Sequence, residues 1–198
     1  MAYPTVSAPY GLQPIGRVDG MPYAGAIRQI PIAAGYATAI FNGDTVKLDT
    51  SGYLVADTGT NNATPCGVLV GCQYVNSSGQ KVQGQYYPAA VSTSSNYAMA
   101  YVVDDPMASF KVAVVSSGAT IGTVGRAAVG SNMALVQQAG LTTTGDSYVA
   151  VLSTSPDTTN TLPVRVIDVV PETATGADAF TEVVVKINTH QYNSTTGI

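Results

Sequence analysis

The chain has 198 residues, of which only 10% are charged and 45% hydrophobic, and it carries a formal net charge of −4. The eight cations (Arg17, Arg28, Lys47, Lys81, Lys111, Arg126, Arg165 and Lys186) are scattered, so no basic stripe follows a phosphate backbone and no nucleic-acid partner is expected. Mean hydropathy is +0.19, yet the apolar residues fall in short segments and none is long enough to span a membrane as a helix.

A soluble domain ordinarily has roughly 25% charged residues. A free surface this poor in charge lacks the repulsion that keeps proteins apart. Much of the exterior is therefore expected to face copies of itself or a larger assembly. The opening MAYPTVSAPYG has neither the basic region nor the apolar core of a signal peptide, so synthesis in the cytoplasm is expected.

Residues 1–35 read as an extended N-terminal arm. Pro4, Pro9, Pro14, Pro22 and Pro31 alternate with Gly11, Gly16, Gly20, Gly25 and Gly35, which excludes helix and interior sheet positions. Tyr3, Tyr10, Leu12, Ile15 and Tyr23 supply apolar anchors that a disordered tail would lack. Such a segment either lies across a neighbouring subunit or folds back onto its own domain. Tyr3, Tyr10, Leu12, Ile15 and Tyr23, with Tyr86 and Tyr87 further on, are the candidate interface residues. Tyrosine suits an interface because its ring packs while its hydroxyl bonds a partner.

Residues 36–188 read as an all-β domain, a barrel or sandwich. A turn at Asn42-Gly43-Asp44 precedes an alternating strand at 45–48, and Ser51-Gly52 turns the chain into 53–56. A polar loop at 57–64 leads to a near-continuous apolar run, 66–75, that suits a strand buried on both faces. Cys66 and Cys72 would lie about 20 Å apart on that strand at ~3.3 Å per residue, too far for a disulfide. They read as small buried thiols.

After a turn at 76–79, strands are predicted at 80–88 and 98–103. Asp105-Pro106 is a helix-start signal, with Asp105 as a structural helix cap for a single turn before the strand at 110–115. Residues 116–147, rich in Gly and Thr, read as an irregular connection or as weak strands. Strands at 148–152, 162–170 and 180–188 follow, and 189–198 reads as a polar, exposed C-terminal tail.

Catalytic signatures are missing. His190 is the only histidine and falls in the predicted tail, there is no GxSxG elbow, and neither GxxxxGK[ST] nor a helix-opening GxGxxG occurs. No catalytic residue, metal ligand or cofactor is expected, and the chain does not read as an enzyme. The one enzyme alternative is a glycan hydrolase pairing Asp104 with Asp105 or Asp168. Adjacent residues on a strand face opposite ways, which disfavours the first pair.

The segments SAPYGLQPIGRVDGMPYAGAIRQIPIAAGYATAIFNGDTVKL, PCGVLVGCQY, YVVDDPMASFKV, TTTGD, LPVRVIDVVP and HQYNSTTG together resemble head-decoration (cement) proteins of tailed bacteriophages. The core GD-x-V-x-L followed by P-x-G-V is similar to the small β-barrels of such proteins. The resemblance implies a virion protein on the outer surface of the head, a homotrimer that clamps neighbouring major capsid subunits and has no catalytic residues. The rivals are a tail- or fibre-associated adhesin binding a glycan through tyrosine-rich loops, and a tail-tube subunit.

Overall fold

The structure, a computed structural model, describes residues 8–21, 24–91, 98–173 and 180–198. It is all-β, as the alternation predicts, and the helical pieces among the described residues are three single 3-10 turns: Arg126–Ala128, Pro171–Thr173 and Gln191–Asn193. Among the described residues no helix is long and apolar enough to cross a membrane.

Six strands form a nearly closed barrel. In chain order they are β2 (Arg28–Ile32), β3 (Thr45–Leu48), β4 (Leu54–Ala56), β5 (Gly67–Val75), β6 (Lys81–Gly84) and β7 (Ala98–Val103). The order is β2-β7-β5-β3-β4, with β6 pairing the far half of β5. The other eight strands form a second sheet: β1 (Gln13–Arg17), β8 (Ala108–Ser117), β9 (Thr120–Ile121), β10 (Asn132–Met133), β11 (Leu135–Val136), β12 (Ala150–Leu152), β13 (Val164–Val169) and β14 (Glu182–Ile187). β8 is its spine. The first half lies between β14 and β1, and the second half pairs with β9 and, in parallel, with β12.

The apolar run of β5 is buried on both faces for a physical reason. Leu69 and Cys72 point into the barrel with Ile32, Leu54 and Tyr87, while Val68 packs outward against the core of the second sheet, beside Phe110 and Val185. One strand thus seals both cores. Its first residue must be glycine, because a Cβ at Gly67 would lie 2.4 Å from the Val103 carbonyl oxygen. β13 uses a bulge for a similar end. The register shifts between Val166 and Asp168, so Val169 returns to the core while Asp168 faces out.

Both cysteines point into the barrel core as free thiols, and burial pushes each up to about 12. The turns at 42–44, 51–52 and 76–79 form where they are expected.

Two expectations are corrected, that of a separate N-terminal arm and that of a wholly exposed C-terminal tail. The N-terminal stretch is no separate arm from residue 8 onward, since β1 pairs with β8 and β2 with β7, so residue 36 is not a boundary. The stretch 116–147 takes the second of its two expected forms, weak strands: β9, β10 and β11 are two residues each, and Met133, Ala134 and Leu135 enter the interior. The C-terminal segment docks rather than trails. His190 is 1% exposed, and Gln191 bonds the barrel strand β3 at Leu48. Only from residue 192 onward is the tail exposed.

Candidate interaction surface

The N-terminal segment is held by its own chain before it can offer anything to a partner. At Gly11 and Gly43 two backbones meet, both at positive φ, and the Leu12 N–H donates to the Gly43 carbonyl at 2.9 Å. A Cβ at Gly43 would come within 2.9 Å of the Gly11 Cα, so the contact requires glycine. Leu12, expected at an interface, is 1% exposed and belongs to the core of the second sheet.

Tyr10 is likewise engaged. Its hydroxyl donates to the buried Glu182 carboxylate, and Lys111 Nζ reaches the same carboxylate at 3.3 Å while covering the tyrosine ring. Burial first, and the neighbouring carboxylate second, push the Tyr10 hydroxyl well above its usual range.

β1 then runs along β8 with a register break between Pro14 and Gly16. Ile15 is the residue left over, and it is 50% exposed. Among the described residues the outer edge of β1 has no strand partner. A proline and a bulge on an edge strand discourage another strand from adding there, so this edge favours side-chain packing over main-chain pairing.

The exposed apolar side chains continue past β1. Val18 and Met21 follow Ile15, and the Val18 N–H donates to the Met107 carbonyl at 2.9 Å, which brings the exposed Met107 alongside. Ile27 is exposed separately, on the outer face of the barrel near Val70 and Tyr101. Val18, Met21 and Met107 were not among the expected interface residues. Met107 was masked by the helix reading of Asp105-Pro106.

That reading is corrected. Residues 106–107 form a turn, in which Asp105 accepts the Met107 N–H at 2.8 Å through its side chain and the Ala108 N–H at 3.0 Å through its carbonyl. The strand β8 begins at once, leaving no room for a helix. The other Asp105 oxygen pairs with Arg17, which also grips Asp19, and that hydrogen bond pulls the Asp19 carboxyl down to about 2. Asp104 turns the other way, to Arg28 at 2.7 Å.

The remaining candidates divide. Tyr86 is half-buried, stacked on Phe41 with centroids 5.2 Å apart, and Tyr87 is wholly buried in the barrel, its hydroxyl donating to the Tyr36 carbonyl. The Tyr87 ring is not presented outward, and one face of the Tyr86 ring is taken by Phe41. Tyr3 and Tyr23 lie outside the described residues. Of the expected interface residues that are described, only Ile15 is well exposed.

Five of the eight cations, Arg17, Arg28, Lys47, Lys111 and Arg126, are ion-paired within the chain, and Arg165 bonds the Asn132 side chain. The carboxylates considered for acid–base work, Asp104, Asp105 and Asp168, are all members of such pairs. Among the described residues no three His, Cys, Asp or Glu side chains converge as a metal site.

Compared with models of known protein families, with curated protein sequences and with solved structures, the chain matches none.

Proposed function

We propose that this chain is a structural component of a virus particle: a decoration, or cement, protein that binds the outside of a tailed-phage head as a trimer and clamps neighbouring major capsid subunits. The observation that carries the reading is the apolar stretch Ile15, Val18 and Met21 with Met107, beside charges (Arg17, Asp19 and Asp105) that are paired with one another. Exposed apolar side chains gathered in one region mark interaction sites more often than solvent surface. Many such contacts made together hold a shell far more tightly than each would alone.

The contact differs from a loose strap. Because β1 is bound to β8, the domain presents Ile15 and its neighbours on a rigid edge, so little ordering is needed when a partner docks. A tail- or fibre-borne adhesin acting through tyrosine-rich loops has less support, since the Tyr87 ring is buried and one face of Tyr86 is stacked on Phe41.

The test is co-sedimentation of the purified chain with expanded phage heads. Saturable occupancy, lost in the double variant Ile15→Asp/Met21→Asp while the fold is retained, supports the reading. Failure of the unaltered chain to bind heads, or unchanged occupancy in the variant, removes it.

A further inference from the structure

The outer face of the second sheet carries a like-charge pair that the chain does not neutralise. Arg165 of β13 and Lys186 of β14 are direct cross-strand partners. Both lie on the face away from the core, since Val164, Val166, Val185 and Ile187 on either side of them point inward. Like charges directly opposite in an antiparallel pair repel and cost stability. Beyond Lys186 the row continues with Ser109, so no acid completes it.

The carboxylates along these strands are engaged elsewhere. Asp168 holds Arg126 at 2.8 Å, and Glu182 is taken by Tyr10 and Lys111. Among the described residues, Arg165, Lys186 and Lys81 are the cations without an ion pair, and the first two are neighbours. Arg165 is oriented rather than neutralised. Its Nε donates to Oδ1 of the buried Asn132 at 2.9 Å, and Asn132 Nδ2 is fixed in turn on the Thr159 carbonyl at 2.9 Å. A guanidinium held by Nε keeps its outer N–H groups for a carboxylate.

One acid of the chain is left over in the same way. Glu172 sits on the exposed turn Pro171–Thr173 that follows β13, and it is the one acid among the described residues whose carboxylate makes neither an ion pair nor a hydrogen bond. It lies past the end of β13 remote from Arg165, where Arg165 to Val169 alone spans roughly 13 Å at the strand rise. Within one chain it pairs with neither cation.

We infer that the β13–β14 face is a self-association surface, on which Arg165 and Lys186 receive Glu172 of a second copy of this chain. Charge complementarity selects the occupant, because the charges left uncompensated on one copy match those on another. Val184 and the bulged Ile167, half-buried and in no core cluster, supply apolar area between the two ends. The ion contact sets register and rejects wrong alignments more than it adds affinity. Nucleic acid fits poorly, since two free cations beside Asp168 and Glu182 cannot follow a phosphate backbone. The inference deepens the proposed function, resting on it only in taking the partner to be another copy, and it places that contact across β8 from Ile15.

The experiment is sedimentation velocity of the full chain from about 1 μM to about 1 mM, with head binding measured separately. The unaltered chain should associate saturably, and more weakly as salt rises. Glu172→Lys and Lys186→Glu should each weaken association about tenfold or more by bringing like charges together. Glu172→Lys/Lys186→Glu should recover most of that loss, and Lys81→Glu, on β6 of the barrel, should change nothing. Glu172 is exposed and Lys186 half-buried, so an unchanged thermal transition should confirm folding. Should a reversal unfold the chain, Glu172→Gln and Lys186→Gln should weaken association in the same direction. The inference fails if the unaltered chain stays monomeric throughout, if the single variants associate equally well, or if the double variant recovers nothing. Self-association without head binding would remove the shell reading alone, and head binding by a strict monomer would remove this inference alone.

Discussion

The side chain of Gln191 pairs with the backbone of Leu48 as though it were one more strand residue. Its Nε2 donates to the Leu48 carbonyl at 3.1 Å, and its Oε1 accepts the Leu48 N–H at 3.0 Å. The Gln191 N–H also donates to the Pro65 carbonyl, and the Thr189 hydroxyl to the Ala63 carbonyl. A segment continuing from β14 of the open sheet is thereby fastened to the barrel.

Gln191→Ala removes both side-chain bonds and leaves the Leu48 peptide groups without that partner. A loss of about 1–3 kcal/mol is expected. Urea denaturation should show a lower midpoint with an unchanged slope. Gln191→Glu should be worse than alanine, because a carboxylate would face the Leu48 carbonyl.

His190 makes stability depend on pH. Burial, the dominant influence, lowers its pKa below the usual 6.5, partly offset by Asp104 and Asp105. Asp104 is paired with Arg28, whose guanidinium lies over Tyr192, and these are the charged groups around the imidazole. A depressed folded pKa means that the unfolded chain takes up the proton first. The contribution is therefore complete above pH 6.5 and declines as pH falls through the folded pKa. Denaturation midpoints measured from pH 8 downward should show the decline, and His190→Phe should flatten it below about pH 6.5.

The N-terminal segment should prove integral to the fold. Leu12→Ala is expected to cost about 2–5 kcal/mol, as for other buried leucines. Tyr10→Phe should cost about 1–3 kcal/mol by leaving Glu182 without one of its two partners. Deletion of residues 2–20 removes β1 together with both anchors, and its product should lose the cooperative transition seen by near-ultraviolet circular dichroism.

Both thiols should resist alkylation in the native state. Each is buried and pushed up to about 12, so thiolate is scarce and access is blocked. Iodoacetamide labelling followed by mass spectrometry should find Cys66 and Cys72 unmodified until denaturant is added, and then modified together.

Some of this architecture was legible in the linear chain because it rests on local periodicity. The strands at 98–103, 164–169 and 182–187 have a side-chain alternation that no helix could use, and the turn at Asn42-Gly43-Asp44 depends on one glycine's positive φ. The burial of β5 on both faces followed from its unbroken apolar run. The absence of a Cys66–Cys72 bridge followed from strand length alone.

The destination of each residue was decided only by the tertiary structure. Proline and glycine favour extended backbone at Gln13–Arg17 and Arg28–Ile32, but an extended segment pairs equally well with its own sheet or with another's, and what selected β8 and β7 was distant: the Gly43 backbone, Glu182 and the vacant sides of two strands. Asp105-Pro106 carries the local chemistry of a helix start, yet the β8 ladder to β1 begins two residues later, at Ala108, and overrides it. His190 and Gln191 look like solvated tail because their neighbours in sequence are polar. Their burial comes from Pro65 and Leu48, more than a hundred residues earlier in the chain, and period and composition carry no record of contacts made at that distance.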